Sequence, residues 1–453
     1  MMKFFLFSLI ATSCSLAVIG YRNETALAAL VLGFSLLLLT HSIFTLFWML
    51  YAWENPTNSK KHSSPSVFAS PFNTFSILIP ARREEEVIES TIQAMSRIDY
   101  PTHLVEVLIL IREDDKSTRL FAESAITWLK EKNIRVVTFG GYPINKPHAL
   151  NVGLRHAKND IVVIFDAEDD PHRDILNVAN TILLEENPDV IQSGVQLMNY
   201  DSRWFSLLNV LEYFFWFKSG LLFFSTVGGT TPLGGNTVFF KKMLLKIAGG
   251  WREDCLTEDA EIGLRLSLMD ARIKVIYDAV HTTKEETPVR VSDFVKQRTR
   301  WNLGFLQILS YGDWLKIKGG RRKIFSFYIL FSPVLQTIIL FSLPFFIGMA
   351  LTHELPIAIS FLAFFPMYIF ILQLVTWIFG SLEFARAYKI SYPYAFPIRI
   401  LSTFFFYQLL LTYASVRAVL RFFFNNLAWE KTFHANSHRT PWLDKKIMYE
   451  FHN

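Results

Sequence analysis

Four long stretches of this 453-residue chain contain no Asp, Glu, Lys or Arg: Phe4–Tyr21, Thr25–Trp53, Ile324–Thr352 and Leu355–Leu382. A spanning helix needs about 20 such apolar residues to cross the hydrocarbon core of a bilayer. The stretches therefore restrict the chain to a polar block held between membrane segments. Composition agrees, with 51% hydrophobic residues and 43 Phe. The formal charge of +5 implies no nucleic-acid partner, and short basic clusters beside apolar runs fit membrane-surface anchors. Two cysteines, Cys14 and Cys255, make neither a disulfide framework nor a metal site.

Residues 1–54 read as a transmembrane hairpin turning at Arg22–Glu24. A signal peptide starting at Lys3 is disfavoured because no small-x-small cleavage pattern precedes the next apolar run. Residues 55–74, rich in Pro, Ser and Lys, read as a linker. Lys60, Lys61, Arg82 and Arg83 follow the hairpin, whereas its turn holds only Arg22. Positive-inside bias then places residues 75–322 in the cytoplasm of a bacterial-type cell, against its inner membrane. Residues 204–227 are aromatic and apolar but broken by Glu212 and Lys218, which predicts an amphipathic segment lying in the interface. Within 323–424 the last run, Ile400–Val416, is short and flanked by Arg399, Arg417 and Arg421. A third full crossing would put Lys431, Arg439, Lys445 and Lys446 outside. The run is therefore expected to re-enter or lie in plane, leaving 425–453 as a cytoplasmic tail.

Between the membrane segments, short apolar runs alternate with amphipathic helices, the pattern of an α/β domain with a mostly parallel sheet. Strands are predicted at Phe75–Ile79, Val105–Ile111, Ile134–Phe139 and Ile161–Phe165. Helices are predicted near Glu85–Met95, Ser117–Lys132 and Pro147–Ala157.

The fourth strand carries the strongest chemical signal. Ile161–Asp170, IVVIFDAEDD, runs from four β-branched residues and a Phe into Asp166, Glu168, Asp169 and Asp170. Ligands of open α/β sheets bind outside the carboxyl ends of the strands. An Asp-x-Glu there offers hard oxygen ligands suited to Mg²⁺ or Mn²⁺; the ordinary alternative is a solvated acidic turn before a helix. Further features follow the same order. Phe75–Glu86 is a strand running into a polar turn, and Val107–Thr118 ends in Glu113-Asp114-Asp115. Carboxylates there can accept from the imide and ribose of a uridine, or simply cap the next helix. Lys146 can meet a diphosphate. Thr257-Glu258-Asp259 is either a helix start with Thr257 as N-cap or the carrier of a carboxylate base. Gln297-Arg298-Thr299-Arg300-Trp301 offers Arg300 to a departing diphosphate and Trp301 to a sugar ring, or merely anchors at the interface.

Taken in order, these motifs resemble the membrane-integrated family 2 glycosyltransferases, the group of cellulose, hyaluronan and bacterial β-glycan synthases. The resemblance runs from about Phe75 to Trp301. It implies a GT-A fold (Rossmann-like, mostly parallel sheet) flanked by membrane helices. It assigns Asp114 and Asp115 to the uracil side of the donor and Lys146 to its phosphates. Asp166 and Glu168 match the Asp-x-Asp metal motif; because Glu replaces the second Asp, Asp169 stands as the alternative ligand. Asp259 is similar to the catalytic base, with Glu258 on the acceptor side. Gln297, Arg300 and Trp301 frame donor and acceptor, and Gly234 and Gly235 in Pro232–Thr237 permit close approach of the acceptor sugar. Ala81-Arg82-Arg83 departs from the family's usual run after the first strand and leaves the donor base open. Trp429-Glu430-Lys431-Thr432 resembles a tail motif of bacterial relatives with no evident physical role.

The implied reaction is inverting, metal-dependent transfer from a nucleotide-diphosphate sugar to a growing β-linked polysaccharide, with extrusion coupled to synthesis. UDP-sugars are the expected donors and GDP-sugars the other candidates. The nearest alternative is a single transfer onto a lipid-linked acceptor. An inactive membrane partner would not need the intact acidic motifs, and a transporter would need ionisable residues within its spans.

Overall fold

The computed structural model describes residues 23–130, 133–352, 357–391 and 394–430; Phe4–Tyr21 and the tail beyond Glu430 lie outside the described residues. The chain enters through α1 (Glu24–Glu54) and a short α2 (Pro56–Lys61). Part of the expected linker is thus helical, with Pro56 at the first helical position, where a missing N–H costs nothing. The remainder is tied to the domain: Asn180 Oδ1 accepts from the backbone of Phe72 at 3.2 Å and Asn73 at 3.0 Å.

The α/β domain runs β1 (Phe75–Ala81), α3 (Ile88–Ser96), β2 (Val105–Arg112), α4 (Lys116–Leu129), β3 (Ile134–Phe139), α5 (Lys146–His156), β4 (Ile161–Ile164) and α6 (Ile175–Glu186). Short β5 (Val190–Gln192) and β6 (Val195–Leu197) precede the helical segment α7 (Ser206–Gly228). Then come β7 (Val238–Lys241), α8 (Glu258–Leu268), β8 (Ile273–Val275), β9 (Thr283–Glu285) and α9 (Val291–Tyr311). The main sheet has seven strands in the order β3-β2-β1-β4-β7-β5-β8, and β6 pairs with β9 apart from it. β1, β2, β3 and β4 are parallel, whereas β7 lies antiparallel between β4 and β5. The four strands expected from sequence form within a residue or two of their expected ends.

Alternation along the strands divides the core. Ile77, Ile79, Ile109, Ile111 and Val163 face one side with α3 and α6, and Leu78, Leu108, Leu110, Val162 and Ile164 face the other with α5. Gly153 sets the height of α5 above the sheet: a Cβ there would lie 2.7 Å from Leu110 Cδ1 and 3.0 Å from Leu78 Cδ2.

Five helices are long and apolar enough to cross a membrane among the described residues. They are α1, α7 and parts of three long C-terminal helices: α10 (Gly320–Thr352), α11 (Ile357–Ala387) and α12 (Ala395–Phe423). Two of the expected segments take definite form here. Ile400–Val416 lies inside the 29-residue α12, which continues past Arg399 and Arg417 instead of ending at the uncharged run. α7, expected to float in the interface, is mostly buried by protein. Its two charges find partners there: Glu212 accepts from Arg298 at 2.6 Å and from the Tyr407 hydroxyl, and Lys218 pairs with Glu383. α1 is bonded to it, with Ala52 N donating to Ser219 Oγ at 2.9 Å.

Gly153→Leu is expected to lower stability by about 1–3 kcal/mol through overpacking, and Gly153→Ala by less. Thermal unfolding of the purified variants checks this; an unchanged midpoint for Gly153→Leu would contradict such close packing.

Candidate active site

The β4 strand delivers Asp166 to the carboxyl edge of the sheet, and the turn beyond it is fixed from within. Asp169 Oδ2 accepts from Asp166 N at 2.7 Å, and Asp169 N donates to Asp166 O at 3.1 Å. Asp169 is fully buried. Lys146 is the first residue of α5 rather than part of the preceding loop. Asn145 caps that helix through His148 N at 3.0 Å and ties it to the Glu253 carbonyl at 2.6 Å. Asp259 sits in the first turn of α8. Thr257 occupies the N-cap position, but its hydroxyl makes no capping bond. The capping role expected of Thr257 is therefore not realised; its side chain is turned against Gly304 of α9.

These elements bring separate motifs together at the Pro232–Thr237 loop. A Cβ on Gly235 would lie 3.1 Å from Asp259 Oδ2, 3.4 Å from Lys146 Nζ and 4.0 Å from Asp166 Oδ2. A side chain at this position would press on Asp259 and crowd the space that the three groups share. Lys146 Nζ pairs with Asp166, donates to Gly235 O at 2.9 Å and lies 3.9 Å from Glu258 Oε1. Arg300, reaching in from α9, acts electrostatically on Asp166, Glu258 and Asp259. Its Nε and the buried Gln297 Oε1 make no hydrogen bond, an uncommon state for buried polar atoms. A cavity of about 280 Å³ opens beside Lys146, Glu258 and Arg300, with Leu427 and Trp429 on its wall.

Burial dominates the electrostatics. It raises Glu258 to about 7 against the pull of Lys146, with Asp259 adding to the rise. It also raises Asp166 and Asp259, opposed in each case by Lys146. Burial works against the charge on Lys146, but Asp166 and Glu258 more than offset it and its pKa rises. Deeper in the turn, burial and then the charge of Glu285 push Asp169 well above the carboxylate range, and burial with Glu168 and Asp166 raises Glu285 to about 7. Asp166, Glu168, Asp169 and Glu285 thus repel one another, while Lys146 and Arg300 stand on the Asp166 side. Hard oxygen donors with a surplus of negative charge suit a divalent cation of the Mg²⁺ or Mn²⁺ type.

The remaining expected residues have contacts of their own. Asp114 is exposed and paired with Arg112 at 3.0 Å. Asp115 caps α4 through Thr118 N at 3.3 Å and also accepts from Arg83 N at 2.5 Å, which pins the turn after β1. Gly234 N donates to Gln192 Oε1 at 2.7 Å. Trp301 carries the Arg298 guanidinium 4.6 Å from its ring centroid. Sequence reasoning missed Glu285 and the side chain of Asn236, which donates to Asp169 Oδ1 at 2.7 Å and to Glu285. It also gave Trp429 no place; Glu430 beside it is held by Arg417 at 2.6 Å and by Arg421.

The profile of the glycosyltransferase-like family 2 matches residues 71–304, the stretch that supplies every element around Gly235. The chain belongs to glycosyltransferase family 2. Among its relatives, a β-monoglucosyldiacylglycerol synthase of Trichormus variabilis is 28% identical over 301 residues, covering 65% of this chain and 60% of that protein. A poly-β-1,6-N-acetyl-D-glucosamine synthase of Staphylococcus epidermidis is 27% identical over 261 residues, covering 56% and 59%. The chain thus spans about 60% of the length of these relatives. The family 2 domain has the GT-A fold. A solved mannosyltransferase from Pyrobaculum calidifontis, in complex with GDP-Man and Mn²⁺, superposes with a TM-score of 0.57 at 19% identity, over 87% of this chain and 99% of that one.

The raised carboxylates fix the sign of a pH effect. A group such as Glu285, shifted from 4.5 to about 7, holds a proton when folded that it releases when unfolded, so stability is lost as pH rises through that window. Without divalent cation, the thermal midpoint of this family 2 protein is expected to fall between those pH values. Glu285→Gln should flatten the fall, and Mn²⁺ should restore the midpoint. A profile measured in EDTA that stays level, or rises, would contradict this.

Proposed function

We propose that the protein transfers a sugar from a nucleotide-diphosphate donor to an acceptor at the membrane, with inversion at the anomeric carbon. The observation that carries this reading is the meeting of Asp166, Lys146 and Asp259 around Gly235, with Arg300 beside them. In the proposed step an acceptor hydroxyl oxygen attacks the anomeric carbon as the bond to the diphosphate oxygen breaks, and its proton passes to Asp259. The raised pKa of Asp259 makes it a stronger base than an exposed carboxylate. Arg300 takes up charge developing on the departing diphosphate. Lys146 neutralises Asp166 before the donor arrives and reaches the cavity where the phosphates would lie. Asp166 and Glu168, with Asp169 as the alternative, would hold Mg²⁺ or Mn²⁺, which supplies charge neutralisation to the diphosphate when bound. Gln297 and Trp301 frame the donor and acceptor, and Gly234 and Gly235 give the acceptor sugar close access to the backbone.

Asp115 is already engaged by Arg83 and Thr118, so its part on the uracil side is to hold the turn after β1 where a base would sit; Asp114 remains accessible. A growing β-glycan is the acceptor that the Gln-x-x-Arg-Trp motif favours, with the domain on the cytoplasmic face. The similarity to β-monoglucosyldiacylglycerol synthases supports a second reading, in which one sugar is placed on a lipid.

Purified Asp259→Asn protein is expected to lose transfer by at least about 10²-fold while still binding nucleotide in the presence of Mn²⁺. Assays with a panel of UDP- and GDP-sugars, recording nucleotide release and product length, check both points. Retained turnover would remove Asp259 from the base role, and products of a single sugar would favour the lipid acceptor.

A further inference from the structure

The segment leaving β4 and the segment entering β9 are joined by two backbone bonds, Asp170 N to Lys284 O at 3.1 Å and Lys284 N to Asp170 O at 3.0 Å. On one side of this join lie Asp169 and Glu285. On the other side the same two segments carry His172, Asp174 and His281. One ligand atom from each of these three lies within 4.8 Å of the others. The imidazoles of His172 and His281 meet edge to face, with centroids 4.8 Å apart and planes at 89°. His172 Nδ1 accepts from Asp174 N at 3.2 Å and is 3.7 Å from Asp174 Oδ2.

We propose that His172, Asp174 and His281 form a second metal site, distinct from the Asp166 cluster and selective for zinc-class ions. Two imidazoles and one carboxylate suit a borderline metal such as Zn²⁺ or Co²⁺ rather than Mg²⁺, and three protein ligands leave a fourth position to water. Tetrahedral zinc at its usual bond lengths places ligand atoms roughly 3.3 Å apart, so side-chain rotation closes the remaining gap. A further observation points the same way. His281 Nδ1 is buried and faces the Asp278 carboxylate, with Oδ2 3.7 Å away. Asp278 is thus placed to accept from Nδ1–H once the other ring nitrogen binds metal, the usual support of a ligating histidine. The three ligands are partly exposed, with side-chain exposures of 28%, 25% and 14%, which leaves an ion a way in. A bound ion would clamp the two segments next to the residues that carry Asp169 and Glu285. It would stiffen the floor of the carboxylate cluster without touching a substrate.

The test uses full-length protein in detergent, stripped with chelator and held in millimolar Mg²⁺ to occupy the acidic cluster. Titration with Co²⁺ is expected to give visible absorption bands of a low-coordinate nitrogen and oxygen site, saturating at one equivalent and displaced by Zn²⁺. Asp166→Asn should leave the bands unchanged. His281→Ala, and separately Asp174→Asn, should weaken Co²⁺ binding at least about tenfold, with elution volume and circular dichroism unaltered. Absence of the bands in the unmutated protein would overturn the proposal whatever the variants do. Equal binding by a folded His281→Ala protein would overturn it too, and loss of the bands in Asp166→Asn would assign the ion to the Asp166 cluster instead.

Discussion

The rest of the structure is arranged around an excess of buried carboxylate at the end of β4. Asp166, Glu168 and Asp169 share one turn with Glu285 beside it and Glu258 and Asp259 near Lys146, and burial costs Asp166, Asp169, Glu285, Glu258 and Asp259 much of their water. Lys146 and Arg300 answer part of that charge on the Asp166 side. Burying a charge is costly unless it is paired, so this arrangement persists only because the elements that carry it are fixed elsewhere. β4 is central in the sheet with neighbours on both sides, the Asp166–Asp169 turn bonds to itself, and α5 is capped by Asn145. A site short of positive charge is prepared for a ligand that brings some.

The apolar part of the chain contributes geometry as well as anchoring. Arg300 and Trp301 lie on α9, whose neighbouring Arg298 bonds Glu212 of α7 and lies over the Trp301 ring. Tyr407 of α12 donates to the same Glu212. The helix that presents Arg300 to the carboxylates is thereby locked to two of the candidate spans. The same helix supplies Arg300 to the wall of the cavity, where Trp429 also stands.

The parts of the fold legible in the sequence were those with a long, clean pattern. β1 to β4 showed as buried apolar runs ending in polar turns; Asp166, Asp259 and Arg300 each stood out in a motif, whereas Lys146 stood only as a lone lysine before a helix. Their convergence depends on how β4, β7 and α8 are ordered in space, which no local pattern records. β5 to β9 span only three or four residues each, too short for a period to be read. Glu285 was hidden for that reason, since TKE in a short strand looks like exposed loop. The partners of Glu212 and Lys218 within residues 204–227 could not be read locally, because Arg298, Tyr407 and Glu383 lie about eighty residues or more away. Asp115 showed both of its features, a cap and a carboxylate at a strand end, and the structure realises the cap.

The central claim is that this carboxylate cluster, completed by a divalent cation, holds a nucleotide diphosphate. Calorimetric titration of UDP and GDP into purified protein, with Mn²⁺ and then with EDTA, tests it most directly when Asp166→Asn is run alongside. The account predicts binding of one nucleotide with Mn²⁺, and loss of binding both in EDTA and in the variant. Equal affinity with and without the cation, or full binding by Asp166→Asn, would contradict it.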